Sequence, residues 1–438
     1  MEAKNHSKEA KMSEKGRLER FKELRSHIRG SEDILVVGID VAKDRHHAFF
    51  GTSNGRSIKK KLVFDNSISG FESLQSLSSD LCIQQDLRRT VFGVEPTASY
   101  HKPLAEYLIG QGEEVVYVSN VAVKKNRALL DGRWDKNDTK DAANIADLVG
   151  QGRCQFYDLP EGPLRELRSL LAFRAKLKKQ EHALRMRLRN TLLAQYFPEM
   201  ERHMPQGGND DLVMNLIAQG FAPLQIRDTR FEDFLYQLSS RKMRIEQENI
   251  LRAIWEEAQG SAGCPIPEAA IWEGKMLVAQ LREVRAIKKE LEAQLKAASQ
   301  ALPGYDCLLT LPGFGPIVSA MVLGAIGDPH RFTSRKQIVR LAGLDLSASR
   351  SGKQSDRATP VISKQGKAAL RYALVQAAII ASYKNPEIRS YFTKLLKGRE
   401  LERGIKMKME IKLAAKLLVV AWTLMKNNEP FNPVCFRP

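Results

Sequence analysis

The sequence predicts a multidomain protein in which an α/β domain precedes all-α regions, and three observations lead there. Between residues 33 and 155, apolar runs of strand length alternate with stretches of helical spacing. From 156 to 300 the texture changes to long amphipathic stretches, and a further, mainly helical region fills 301–438. The third observation is size and charge. With 438 residues, 43% of them hydrophobic, the chain is long enough for real cores, which excludes a disordered basic tail. Its 69 Lys and Arg against 51 Asp and Glu leave a net charge of +18, a field that favours a polyanion, with nucleic acid as the natural candidate.

Residues 1–32 mix basic and acidic side chains with few large apolar ones and read as a basic N-terminal extension, mobile or loosely helical. Residues 34–39 form a continuous apolar strand, 46–50 and 57–65 two more, and 71–81 a helix. A strand at 91–94, a helix near 102–109, a strand at 114–118 and a helix at 139–149 follow. Three strands, then helix, strand, helix, strand, helix is the order of the ribonuclease H or RuvC-like fold, and buried central strands account for the near-continuous apolar runs.

In the central region Leu277, Leu281, Val284, Leu291, Leu295, Ala298 and Leu302 fall on alternating four- and three-residue steps, with Lys288 in one slot. This matches a coiled-coil seam, which needs a partner helix. An earlier helix over 164–193 carries Arg165, Arg168, Arg174, Lys178, Lys179, Arg185 and Arg189, offset only by Glu166 and Glu181 between 165 and 189. A charge run is usually a solvated face, but one sign at this density repels itself unless a polyanion is near, so these residues are candidate nucleic-acid contacts. Residues 203–270 read as a loop-rich insert. The C-terminal region opens with Leu311-Pro312-Gly313-Phe314-Gly315, where Gly313 and Gly315 fit a helix-hairpin-helix grip on phosphate, and equally an ordinary turn.

The chemistry rests on four carboxylates. Asp40 ends the first strand, Glu95 follows the fourth, and Asp138 and Asp141 stand three apart at the start of the last helix of the α/β domain. Oxygen ligands of this kind suit magnesium or manganese, and two such ions support phosphoryl transfer. For the pair at 138 and 141 alone, a capping residue with its capping-box acid is the simpler account. Four acids in this order are not explained that way.

The elements Gly38-Ile39-Asp40-Val41-Ala42-Lys43, Val94-Glu95-Pro96-Thr97-Ala98-Ser99-Tyr100, Lys136-Asn137-Asp138-Thr139-Lys140-Asp141-Ala142, Leu311-Pro312-Gly313-Phe314-Gly315 and Arg350-Ser351-Gly352, then Ile362-Ser363-Lys364-Gln365-Gly366, resemble the IS-one-ten family of DEDD transposases, which includes the Piv-type invertases. After its glutamate that family usually has alanine, a threonine or serine, and glycine, so Pro96 and Ala98 depart from the pattern. The resemblance implies a DNA transposase of a mobile insertion sequence, a serine recombinase working through a phosphoserine link. It implies Ser351 as nucleophile beside magnesium held by Asp40, Glu95, Asp138 and Asp141, and a structured bridge RNA that pairs with donor and target DNA. Arg350, Gly352, Lys353 and Lys364, around the serine loop, would then meet nucleic acid. A serine hydroxyl is a weak nucleophile near neutral pH and needs a base or a metal. The rival reading is a junction-resolving nuclease that uses water.

Five scattered cysteines without a C-x-x-C pair argue against a zinc ribbon or a disulfide framework. With no leader and no apolar stretch of about 20 residues, the expectation is a soluble, cytoplasmic, nucleoid-associated prokaryotic protein with no membrane partner. The seam and the need to hold two duplexes suggest a homo-oligomer, dimers pairing into a tetramer. His46, His47 and His101 read as strand-face and helix-start residues rather than metal ligands.

Overall fold

The computed structural model describes residues 14–130, 138–204, 211–220, 222–238, 244–347 and 361–436. Two compact units divide the chain, Met1–Glu161 and Gly162–Pro438.

The N-terminal unit is built on one mixed sheet of β1 (Ile34–Asp40), β2 (Arg45–Thr52), β3 (Ser57–Asp65), β4 (Arg89–Val94), β5 (Glu114–Tyr117) and β6 (Gln155–Phe156), in the order β3-β2-β1-β4-β5-β6. The first three strands form an antiparallel meander; β4 runs parallel to β1 and β5 parallel to β4, while the short β6 closes the edge antiparallel. Central position explains why β1 is apolar on both faces: a strand flanked by two neighbours and covered on both sides has no solvent face. The helices are α1 (Glu14–His27), α2 (Ile68–Gln84), α3 (His101–Gly110), α4 (Asn120–Leu130) and α5 (Asp138–Gly150). One face buries Phe71, Leu74, Leu104 and Leu108 of α2 and α3 against the sheet; the other buries Leu24, Val123, Ile145 and Val149 of α1, α4 and α5.

Of the segment expected to be a mobile or loosely helical extension, the described part from Glu14 onward forms α1 and packs on the sheet. Phe21, Leu24 and Ile28 recur at three- and four-residue steps, and Leu24 and Ile28 are fully buried. Three apolar side chains among so many charges are a weak periodic signal, yet they suffice once a sheet face is there to receive them.

The helix α5 lies unusually close to the sheet. Gly38 of β1 and Gly93 of β4 are register partners, and a Cβ built on Gly38 would stand 2.1 Å from the Ala142 carbonyl oxygen and 2.5 Å from the Ala146 nitrogen. At Gly93 it would stand 2.5 Å from Val149 Cγ2. Two adjacent glycines thus form the floor on which α5 rests.

The C-terminal unit is helical. The helix α6 (Gly162–Arg187) continues through a π-helical stretch (Leu188–Leu193) into a single turn α7 (Ala194–Tyr196), and pairs antiparallel with α12 (Glu268–Gln300). Their polar contacts fix the direction: Arg187 meets Glu273, Glu181 meets Arg285 and Lys288, and Arg174 meets Glu292. The seam of α12 is therefore filled from within the chain, by α6 and its neighbours. Lys288, the break in the seam, reaches Glu181 at 2.6 Å. Burial pushes the Glu181 carboxyl up, but hydrogen bonds and charge from Lys288 and Arg285 outweigh it and hold it below the usual range.

Between those long helices lie α8 (Asp211–Gln219), α9 (Pro223–Arg227), α10 (Phe231–Leu238) and α11 (Ile245–Gln259). The segment expected to be loop-rich instead carries a core of its own, with Val213, Phe234, Leu251 and Ile254 packed on Leu277 and Leu281. Beyond α12 follow α13 (Tyr305–Leu309), α14 (Pro316–Ile326), α15 (Arg335–Leu341), a two-stranded ribbon of β7 (Leu346–Ser347) and β8 (Val361–Ile362), α16 (Ala368–Lys384), α17 (Pro386–Leu396) and α18 (Ile405–Asn427). Their core is continuous with Leu167, Leu177, Val284 and Leu291 of α6 and α12. Among the described residues no helix is long and apolar enough to cross a membrane.

Gly38→Ala should destabilise the N-terminal unit by about 3 kcal/mol, because backbone rather than a flexible side chain blocks the new methyl. Gly110→Ala, with open space around it, should leave stability unchanged or slightly raised; denaturant titration of both variants separates the two cases. A second expectation concerns acid. His46 is fully buried between Phe64 and Phe71, and burial, helped by His47, pushes its imidazole below the ordinary value; burial does the same to His101. The unfolded chain then binds these protons more tightly than the folded one. Stability is complete above about pH 6.5 and falls as pH drops below it toward the folded values. Urea midpoints between pH 7.5 and 5.5 should show this loss, and His46→Phe should shrink it; an identical slope in the variant would remove His46 from the account.

Candidate active site

Asp40 and Glu95 are brought level by strand register. Ile39 pairs with Val94 across the parallel β1–β4 ladder, so the residues that follow each of them stand side by side at the C-terminal edge of the sheet. Neighbouring strands lie about 4.8 Å apart, and residues two apart share a face. Asp40 thus belongs to the face of Gly38, and Glu95 to that of Gly93, the face on which α5 rests. Both are half-buried.

The direction of α5 completes the placement. Ala142 lies over Gly38, while Gly150 lies against Ser53, next to Thr52, which pairs with Leu35 at the beginning of β1. The helix runs antiparallel to β1, so its first turn, with Asp138 and Asp141, sits at the edge where Asp40 and Glu95 end their strands. Asp138 opens the helix, and its side chain lies outside the described residues. Asp141 is only 3% exposed.

A polar network anchors α4 to α5. Asn126 donates from Nδ2 to Asn144 Oδ1 at 2.8 Å and to Asp147 Oδ2 at 2.7 Å, and Asn144 Nδ2 donates to the Val123 carbonyl at 2.8 Å. Mutual satisfaction is what makes burying these amides tolerable. The same packing delivers Arg127, whose Nη2 lies 2.6 Å from Asp141 Oδ1. That contact is an ion pair without hydrogen-bond geometry, since Asp141 Oδ1 is buried with no hydrogen-bond partner. A buried carboxylate oxygen in this state is a donor that a hard cation accepts, and Asp40, Glu95 and Asp141 supply the oxygen-only chemistry that a divalent ion prefers. Among the described residues, no three carboxylate, imidazole or thiolate groups are gathered as a metal-binding cluster. Sequence reading missed Arg127: within Lys124-Lys125-Asn126-Arg127 it looks like any solvated basic run.

Behind the site, the backbone N–H of Ala42 donates to His46 Nδ1 at 3.3 Å, a hydrogen bond that steadies the turn after Asp40. His46, His47 and His101 sit on strand or helix-start positions, with His46 and His101 buried as packing residues. Ser351, with Arg350, Gly352 and Lys353, falls outside the described residues.

The candidate nucleic-acid contacts of α6 and the π-helical stretch after it divide into two groups. Arg174 pairs with Glu292, Arg189 with Glu201, and Arg168 donates through Nε to the Gly324 carbonyl at 2.8 Å. Acids from elsewhere in the unit therefore offset a charge run that looked unbalanced within its own segment. Arg165, Lys178 and Lys179 are exposed, Arg185 half-buried, and Lys364 exposed beside Gly343. Gly313 has φ +86°, and a Cβ there would meet the Ala377 carbonyl oxygen at 2.2 Å, so this glycine serves packing on α16. Gly315 caps α14 with open space around it.

The loop after Glu95 holds Ala98 at φ +47°, at the position where the resembling family usually has glycine. A left-handed alanine costs about 1 kcal/mol. Ala98→Gly should relieve it and raise stability by about 0.5 kcal/mol after the entropy glycine adds to the unfolded chain, measured by denaturant titration; a loss of stability would show that the loop is unstrained.

Two models of one transposase family match the chain: the DEDD transposase model of IS110, over residues 37–198, and the transposase model of the IS116/IS110/IS902 family, over 305–393. The first includes the positions of all four carboxylates. The chain is 23% identical over 372 residues to a 43.6 kDa protein of insertion element IS110 from Streptomyces coelicolor, covering 83% of this chain and 88% of that one. It is 23% identical over 421 residues to the transposase for insertion sequence element IS1111A of Coxiella burnetii, 95% of each. With the pilin gene-inverting protein of Moraxella bovis it shares 33% identity over 129 residues, 28% of this chain and 38% of that one. Nearly full-length relatives and two matches in the same order agree with the motifs: the chain belongs to the IS110 family of insertion-sequence transposases.

Proposed function

We propose that this transposase cuts and rejoins DNA through a phosphoserine intermediate formed by Ser351, with a RuvC-like carboxylate site of Asp40, Glu95, Asp138 and Asp141 and a bridge RNA that chooses the sites. The observation that carries the metal-site half of this reading is the level ending of β1 and β4 beneath the first turn of α5, which puts three of the four acids at one edge of the sheet.

Asp40 and Glu95 would bind magnesium or manganese from the strand ends, and Asp141 and Asp138 from the helix. When bound, the divalent ion activates the attacking oxygen and neutralises charge on the phosphate. Arg127 places a positive charge beside Asp141. The serine hydroxyl loses its proton, its oxygen bonds to phosphorus, and a sugar oxygen leaves as a hydroxyl. The phosphodiester is exchanged rather than hydrolysed, so a second sugar hydroxyl can displace the serine without ATP. Positioning and electrostatics dominate such transfers.

Sequence choice is delegated to base pairing, while exposed cations such as Arg165, Lys178, Lys179 and Lys364 hold the RNA and DNA backbones. Holding two duplexes calls for more than one copy, and dimers pairing into a tetramer is the arrangement we favour. This part of the proposal rests on the two duplexes alone, because the seam of α12 is filled within the chain.

The test is a denaturing gel of labelled donor and target DNA incubated with protein, its RNA and magnesium. A covalent protein–DNA adduct should form with the wild type, vanish in Ser351→Ala, and fall by at least about a hundredfold in Asp40→Asn. Cleaved DNA with no adduct in any protein would sink the serine mechanism and favour water as nucleophile in a junction-resolving nuclease.

A further inference from the structure

The C-terminal unit holds an open cavity of about 640 Å³ between α6, α14 and α16, on the same side of α6 as Arg168 and Arg174. Its floor is apolar, formed by Leu171, Ile317, Val318 and Met321. Arg168, Arg174, Lys178 and Lys367 surround that floor, and no Asp or Glu lines the cavity among the described residues. At its mouth stands Tyr372, 56% exposed, with Lys178 Nζ 4.4 Å from the ring centroid.

Three of these cations have a structural task. Arg168 bonds the Gly324 carbonyl, and Lys367 Nζ the Ala325 carbonyl at 3.1 Å, so both meet the C-terminal end of α14. Arg174 pairs with Glu292 of α12, which accounts for three of the four. That does not account for Lys178 at an open aromatic ring, nor for an apolar floor left uncovered beneath a positive rim. The first turn of α16, residues 368–370, also lines the cavity, adding backbone N–H groups that have no intrahelical acceptor.

We infer that this cavity takes one unstacked nucleotide of single-stranded DNA. The base enters the apolar floor and stacks against Tyr372, while its flanking phosphates lie on Lys178 and the positive rim. Apolar surface, an exposed aromatic ring and cations side by side are the combination that binds single strands without reading sequence. A paired base inside a duplex cannot enter. DNA is the strand because the assignment rests on the transposase reading: exchanging strands between duplexes leaves nucleotides unpaired, and these need holding until they are rejoined.

The experiment uses full-length protein and a thymine 15-mer carrying one 2-aminopurine, followed by fluorescence and anisotropy. The wild type should bind it and change the probe's emission. Tyr372→Ala should weaken binding about tenfold. Ala369→Trp, an exposed position in the lining, should abolish the emission change by filling the cavity while leaving the charge intact. Thermal melts of both variants check that they fold. Three results would each overturn the inference: variants that bind and report like the wild type, an abasic probe position that binds as well, or a ribo-oligonucleotide of the same sequence that binds better. The adduct gel is independent of these readouts, so a wild type that fails there and passes here indicts the serine mechanism and not the cavity.

Discussion

Everything at the carboxylate edge depends on how closely α5 approaches the sheet. Gly38 and Gly93 are register partners on adjacent strands, and the space of their missing side chains is filled by the backbone of α5 at one and by Val149 at the other. Because the contact is with backbone, the helix has little room to slide or rotate. Its first turn is therefore held at the edge where β1 and β4 end, the edge of Asp40 and Glu95. The buried Asn126–Asn144 pair then fixes α4 to α5 and brings Arg127 to Asp141.

Charge in the C-terminal unit follows a different rule. The helix α6 looks self-repelling when read along its own sequence, but α12 faces it in the opposite direction and supplies Glu273 and Glu292, while Glu181 of α6 answers Arg285 and Lys288. Lys178 stands instead at an aromatic ring beside an open apolar cavity. The basic excess of the chain is thus part scaffold and part surface, and only the second part is available to a polyanion.

Much of this was legible in the sequence. The strands and helices of the N-terminal unit announce themselves through continuous apolar runs and helical spacing, and the acids at strand ends could be placed from the order of elements alone. What escaped was whatever depends on partners distant in sequence. The helix α1 carries too few apolar residues to stand out from its charges, and only the sheet face gives Leu24 and Ile28 a place to bury. Residues 203–270 look loop-rich because Pro205, Gly207-Gly208 and Gly263-Cys264-Pro265 stand near their ends, yet the helices between close a core against Leu277 and Leu281. The seam of α12 was visible, but nothing in its spacing said that the partner helix lay in the same chain. Arg127 has no local signature at all.

The pairing of Lys288 with Glu181 has a mechanical consequence. A seam of leucines alone tolerates slippage, because one heptad looks like the next. A lysine in one slot, answered by a single acid on the opposite helix, leaves one register in which neither charge is buried alone. With 33 residues, α12 is about 50 Å long. Its first half belongs to the core of α8–α11 and its second half to that of α13–α18. The two cores are thus mounted on one keyed strut, and a push on either end is passed along its length instead of being absorbed by sliding.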